Sequence, residues 1–188
     1  MDTKEHMLAV AQKLVQQRGF NGFSYADIAE EVGVRKASLH YHFATKTELG
    51  VALIETYSAQ LDSELIRINT LPAKADAKLA AYVAIFRGAL EAERMCLGGM
   101  LASEWLTLDT SMLPSLKSFF ARNIEWLTEV VAEGKSQKIF VLAGTAADHS
   151  RVLLAALQGA LLIARATGDQ EAFDRTASLL IKGLTRKS

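Results

Sequence analysis

The chain has 188 residues, half of them apolar, so it is long enough to bury a sizeable core as one helical body or as a small domain beside a larger one. Its 21 basic and 21 acidic side chains cancel, as do the six of each sign in residues 1–48, which excludes a uniformly basic nucleic-acid coat and makes any polyanion-binding face a local one. A single cysteine excludes an internal disulfide, the start MDTKEHM lacks the apolar stretch of a signal peptide, and two prolines among abundant Ala and Leu point to an all-α, cytoplasmic chain.

A first helix runs to Gly19-Phe20. Ser24 and Asp27 then form a capping box that starts a second helix, with Ile28, Ala29 and Val32 on its buried face. Gly33 stands where a left-handed residue closes a helix, giving the sharp corner of a helix-turn-helix. Ala29 is small where the two helices of that motif cross. The third helix begins near Arg35 and turns Leu39 and Phe43 inward. That leaves Arg35, Lys36, Ala37, Ser38, His40, Tyr41 and His42 largely outside. Between Val32 and Thr47 there are three cations (Arg35, Lys36 and Lys46) and no acid, an asymmetry suited to a polyanion. An ordinary helical hairpin with a polar outer face is the competing interpretation of the same spacing.

Residues 6–54 resemble the DNA-binding domain of the TetR family of bacterial transcriptional regulators. The resemblance is carried by Gly19-Phe20, Phe23-Ser24, Asp27-Ile28-Ala29, Val32-Gly33-Val34, Leu39, Tyr41-His42-Phe43, Lys46 and Leu49. It implies an N-terminal three-helix helix-turn-helix domain, residues 1–48, and a larger helical effector-binding and dimerisation domain, residues 49–188. It also implies that Lys36, Ala37, Ser38 and His40 approach bases in the major groove, while Ser24, Tyr41, His42 and Lys46 hold phosphates. Tyr25 and Arg35 complete the candidate DNA-contacting set. His40 replaces the family's frequent Tyr and Arg35 its frequent small opening residue, which bears on base preference. The two imidazoles act either as charged groups near phosphate at lower pH or as neutral donors set by packing.

A long helix from about Lys46 to Asn69, opened by Thr45 with Glu48, bridges the two domains. Thr70-Leu71-Pro72 ends it. The next helices are expected over Pro72–Glu93, Leu97–Leu106 and Ser111–Glu133, the last capped by Gly134, with residues 134–145 as a connection. The resemblance places an effector pocket among Tyr82, Phe86, Cys96, Met100, Glu104, Trp105, Phe119, Asn123, Trp126 and His149. Aromatic and Met residues at this spacing are more often plain core. Cys96-Leu97 with Leu101-Ala102-Ser103-Glu104 resembles the electrophile- and oxidant-sensing branch of the family; the alternative for a lone cysteine is a small buried hydrophobe.

Two closing helices are expected at Ala146–Thr167 and Asp169–Lys182, divided by Gly168. The first is apolar on nearly every side from Leu153 to Ala164, in a run too short and too interrupted by Gln158 to span a bilayer. Its small-residue stripe Ala155, Gly159, Leu162, Ala166, with Phe173, Ala177, Leu180 and Leu184 on the last helix, reads as half of a four-helix homodimer interface; burial within the same chain is the alternative.

No Gly-rich phosphate loop, metal-ligand spacing or nucleophile motif is present, and His40 and His42 project in different directions, so neither an enzyme, a metal site nor a cofactor is expected. The expected function is a homodimeric repressor that binds a palindromic double-stranded DNA operator and is released by a small-molecule inducer or by modification. An activator without effector, and a helical small-molecule-binding or protein-interaction module, are the competing functions.

Overall fold

Capping residues and helix-closing glycines divide the computed structural model, which describes residues 2–185, into nine helices with no strand among the described residues. They are α1 (Thr3–Arg18), α2 (Tyr25–Val32), α3 (Lys36–His42), α4 (Lys46–Thr70), α5 (Ala75–Glu91), α6 (Leu97–Ser103), α7 (Leu113–Ser136), α8 (Ala146–Thr167) and α9 (Gln170–Thr185). A 3-10 turn, Thr110–Met112, precedes α7.

One compact unit comprises the chain through Leu61 together with Cys96–Phe119; the other comprises Asp62–Met95 together with the chain from Phe120 onward. The expected division after residue 48 does not coincide with these units. Within the first, α1 packs on α2 and α6, and α2 packs on α3. Its core joins Met7, Val10, Leu14 and Val15 of α1 to Ile28, Leu39, Phe43, Leu49, Leu53, Leu97, Leu101 and Met112, all buried. Burying each such side chain stabilises the fold by about 1.5–3 kcal/mol.

In the second unit α8 and α9 pack along each other and both pack on α5. Leu79, Tyr82, Phe86, Leu127, Val131, Leu153, Leu157, Leu161, Phe173 and Ala177 fill its interior. The stripe expected on α9 is therefore corrected. Phe173, Ala177 and Leu184 are buried in this chain's own core and Leu180 is half-buried, because α9 needs its largest apolar face to cover α5 and α8. The outward side of α9 instead carries Thr176, Leu179 and Gly183, with Leu179 70% exposed. On α8 the expected face does point outward: Ala155, Leu162 and Ala166 are exposed and Gly159 is half-buried, joined by exposed Val152 and Ile163. The apolar run continues into a 22-residue helix that is long and apolar enough to cross a membrane by length and composition, although a core helix passes the same test.

Two boundaries shift for local reasons. α5 starts at Ala75, not Pro72, because Ala73 N–H folds back on the Leu71 carbonyl at 2.7 Å and Ala75 N–H is taken by Gln137 Oε1 at 3.2 Å. Gly134 does not cap α7, which runs on to Ser136; the left-handed residue after it is Lys138, φ 59°. Gly134 has a different task. Its carbonyl accepts from Ile139 and Phe140 N–H at 2.9 and 3.0 Å, and a Cβ there would collide with the Phe140 ring. Gly134→Ala is expected to expel Phe140 from its buried seat and cost about 1–3 kcal/mol in denaturant unfolding despite the better helix propensity of Ala; a neutral or stabilising result would refute this packing role.

Candidate nucleic-acid interface

The first unit presents α3 through two local devices. Ser24 Oγ accepts from Ala26 N–H at 3.2 Å and donates to Asp27 Oδ2 at 2.7 Å, while Ser24 N–H donates to the same oxygen at 2.7 Å, so the capping box closes. These bonds, the Ser24 hydroxyl first, hold the Asp27 carboxyl below its usual range. At the far end Gly33 is left-handed at φ 77°, and Val34 N–H closes on the Ala29 carbonyl at 3.0 Å.

The helix so placed buries one side chain, Leu39. Arg35, Lys36, Ala37, His40 and Tyr41 are exposed, Tyr41 to 86%, and Ser38 and His42 are half-buried. The Tyr41 ring stands edge-on to His42, with centroids 5.2 Å apart. Among the described residues neither Arg35 nor Lys36 has an acidic partner, whereas two of the three acids of α2 are engaged by α1: Lys13 pairs with Glu31, and Arg18 lies 3.9 Å from Asp27. Asp27 and Glu31 are thereby held towards α1, and Arg35 and Lys36 keep their charges unpaired. Such a face can donate to phosphates and to base edges.

Three expected site residues, two from the DNA-contacting set and one from the effector pocket, have other work. Tyr25 is 6% exposed, and its hydroxyl donates to the carbonyls of Phe43 at 2.9 Å and Thr45 at 2.7 Å, so it fastens α2 to the α3–α4 junction and has no surface for DNA. Its ring also supports His40, centroid to centroid 4.8 Å, whose Nδ1 lies 3.4 Å from the Ala44 carbonyl. Lys46 turns inward: its ammonium lies 4.2 and 4.9 Å from the ring centroids of Phe23 and Phe20 and donates to the Phe23 carbonyl. Burial lowers its pKa, against the pull of Glu104 and Asp27. Glu104, expected in an effector pocket, accepts from Phe20 N–H at 2.7 Å and Asn21 N–H at 3.3 Å instead. Nothing in the spacing of residues 84 apart signals that contact.

The remaining effector candidates divide between the units. In the first, Cys96 is buried and its Sγ accepts from the Tyr57 hydroxyl at 3.9 Å; Tyr57 also faces Phe119, centroids 5.6 Å apart. Met100 is half-buried, and Trp105 is exposed with Lys117 Nζ 5.6 Å from its centroid. In the second unit Tyr82 gathers three candidates. Its hydroxyl donates to Asn123 Oδ1 at 2.9 Å, Trp126 stacks on it at 5.4 Å, and Phe86 lies 5.5 Å away. Trp126 in turn donates to Asn69 Oδ1 at 3.2 Å. His149 is half-buried, with Nε2 enclosed and without a hydrogen-bond partner among the described residues. Beside Tyr82, an apolar crevice lined by Leu79, Leu127, Leu157 and Ala177 has room for little more than a water molecule.

Comparison with known proteins bears on the same segment. Residues 7–53 match the family model described as bacterial regulatory proteins, tetR family. The chain is 27% identical over 169 residues to the HTH-type transcriptional repressor NemR of Escherichia coli K12, covering 87% of this chain and 84% of that protein. The crystal structure of a TetR-family transcriptional regulator from Agrobacterium tumefaciens superposes with a TM-score of 0.94 at 31% identity, and that of a TetR transcriptional regulator from Legionella pneumophila with 0.90 at 32%, each covering 98% of both chains.

The Tyr25 fastening has a pH signature. Burial first, and Glu48 second, push its pKa up to about 12 from an ordinary 10.0. Above about pH 10 the unfolded phenol gives up its proton while the folded one keeps it, so this contribution is intact below about pH 10 and is lost as pH rises towards about 12. Tyr25→Phe is expected to cost about 1–3 kcal/mol at neutral pH by stranding two carbonyls, and to flatten the alkaline loss; equal slopes for the two proteins in denaturant titrations between those pH values would contradict it.

Proposed function

The chain belongs to the TetR family of bacterial transcriptional regulators, and from that premise we propose that it is a repressor that holds a palindromic operator as a homodimer and lets go when a small-molecule inducer binds. One observation carries the reading: a helix that buries one side chain and turns Arg35, Lys36, His40 and Tyr41 to solvent, with Glu31 and Asp27 of the preceding helix paired to α1. In this role Lys36, Ala37, Ser38 and His40 read base edges, while Arg35, Tyr41 and His42 clamp the phosphates beside them. The repressor assignment is supported by the name of the NemR relative.

A seven-residue helix on a chain of zero net charge binds weakly by itself, so affinity comes from presenting it twice. Entry into successive major grooves needs two copies about 34 Å apart, and a two-fold protein calls for a palindrome. The open face of α8, with Val152, Ala155, Leu162, Ile163 and Ala166, and Leu179 on α9, supplies a self-complementary apolar surface for that pairing. The Tyr82, Asn123 and Trp126 cluster is the part of the second unit suited to an aromatic or hydrogen-bonding inducer, which would have to exchange for the Tyr82–Asn123 bond. An electrophile-responsive role for Cys96 would require its buried thiol to open past Tyr57.

Selection of bound duplexes from random DNA is expected to return a palindrome. Against it, Lys36→Ala should lose about 1–3 kcal/mol and relax the sequence preference, and Tyr41→Phe should weaken all sequences alike. Leu162→Glu should yield folded monomers in sedimentation and abolish specific binding. A wild-type monomer, or a Lys36→Ala variant that binds as before, would end the reading.

A further inference from the structure

Glu104 places a negative charge in the first unit, within electrostatic reach of Lys46, and its surroundings account for that placement. It stands at the end of α6, where its N–H closes on the Leu101 carbonyl at 3.1 Å. From there the carboxylate reaches the turn between α1 and α2, accepting from Phe20 N–H at 2.7 Å and from Asn21 N–H at 3.3 Å. Beside it Asn21 Nδ2 donates to Thr107 Oγ1 at 2.7 Å, so two adjacent residues of the turn are held by the segment after α6.

The turn is shaped to receive the carboxylate. Gly19 is at φ 84°, a conformation other residues rarely adopt, and a Cβ there would lie 2.6 Å from Glu104 Oε1. The consequence extends forward. Phe20 and Phe23, which bound this turn, form the aromatic seat of the Lys46 ammonium, and Lys46 opens α4 directly after the recognition helix. Ser24, the cap of α2, follows Phe23. One carboxylate therefore holds the loop from which both the start of α2 and the anchor of α4 are set.

We propose that Glu104 is a positioning residue for operator binding: it makes no contact with DNA and supports affinity by keeping the Phe20–Asn21 turn, and through it Lys46 and the start of α2, in the arrangement that presents α3. This rests on the DNA-binding reading of the head. It reverses the sign that charge alone would give. Removing an acid near a polyanion should tighten binding, whereas loss of the tether should loosen it.

Glu104→Gln keeps the size and one acceptor oxygen but turns an amide N–H₂ towards two backbone donors. In the full-length chain it is expected to weaken binding to a selected operator by about tenfold, the equivalent of one charge-assisted bond, and to speed amide exchange at Phe20 and Asn21. The slope of log affinity against log salt should stay unchanged, because no phosphate contact is removed. Thr107→Val, which keeps the carboxylate and loses the Asn21 bond together with the Thr107 hydroxyl bond to the Glu104 carbonyl at 2.9 Å, should shift affinity and exchange in the same direction by less, and serves if the first variant does not fold. Affinity that is unchanged or tighter in Glu104→Gln, or exchange at Phe20 and Asn21 that does not change, overturns the proposal while leaving the DNA-binding reading intact. A wild-type chain that ignores every duplex at low salt overturns both.

Discussion

A recognition helix of seven residues cannot sustain itself in water, since nucleation alone outweighs what so few backbone bonds return. Everything functional in the head depends on how its neighbours hold it. Leu39 is the inward anchor, Phe43 closes the last turn with its N–H on the Leu39 carbonyl at 2.7 Å, and the Tyr25 hydroxyl binds the carbonyls on both sides of the corner that follows. Because so little of α3 is consumed by packing, most of its side chains are left for a partner. Economy of burial and breadth of the presented face are the same property.

Charge in a neutral protein is made useful by segregation. The six acids of residues 1–48 would cancel the six bases if they were mixed, but Glu31 is drawn to Lys13, Asp27 to the α2 cap and towards Arg18, and Glu48 to the Ala44 N–H. Arg35 and Lys36 are left without an acidic partner among the described residues, beside exposed Tyr41. Lys46 shows the limit of reading charge from a string of letters. Its ammonium belongs to the same stretch as Arg35 and Lys36, yet two phenylalanine faces and a carbonyl draw it inward.

The second unit solves a different problem. A helix apolar on most of its circumference has to be covered, and α8 achieves this on one side with α5 and α9 while leaving Val152, Leu162 and Ile163 open. The largest apolar residues of α9 go to the internal surface because a close-packed core rewards volume, and the smaller set, with Leu179, faces out. Inside, polar groups are tolerated where they find each other: the Tyr82 hydroxyl meets Asn123, and the Trp126 indole meets Asn69.

Features set by short-range chemistry were legible from the amino-acid order alone: the all-α class, the Ser24–Asp27 box, the left-handed Gly33, the limits of α8, and the outward set from Arg35 to Tyr41. Each depends on residues within about one or two helical turns of one another, where periodicity and capping act. Which of two apolar faces of α9 is buried, why Gly134 lacks a side chain, where the Lys46 charge points, and that Glu104 belongs to the head's turn were decided by tertiary structure. Those outcomes depend on partners that the chain brings together only on folding, as Phe20 and Glu104 are across 84 residues, and no local pattern encodes a partner that distant.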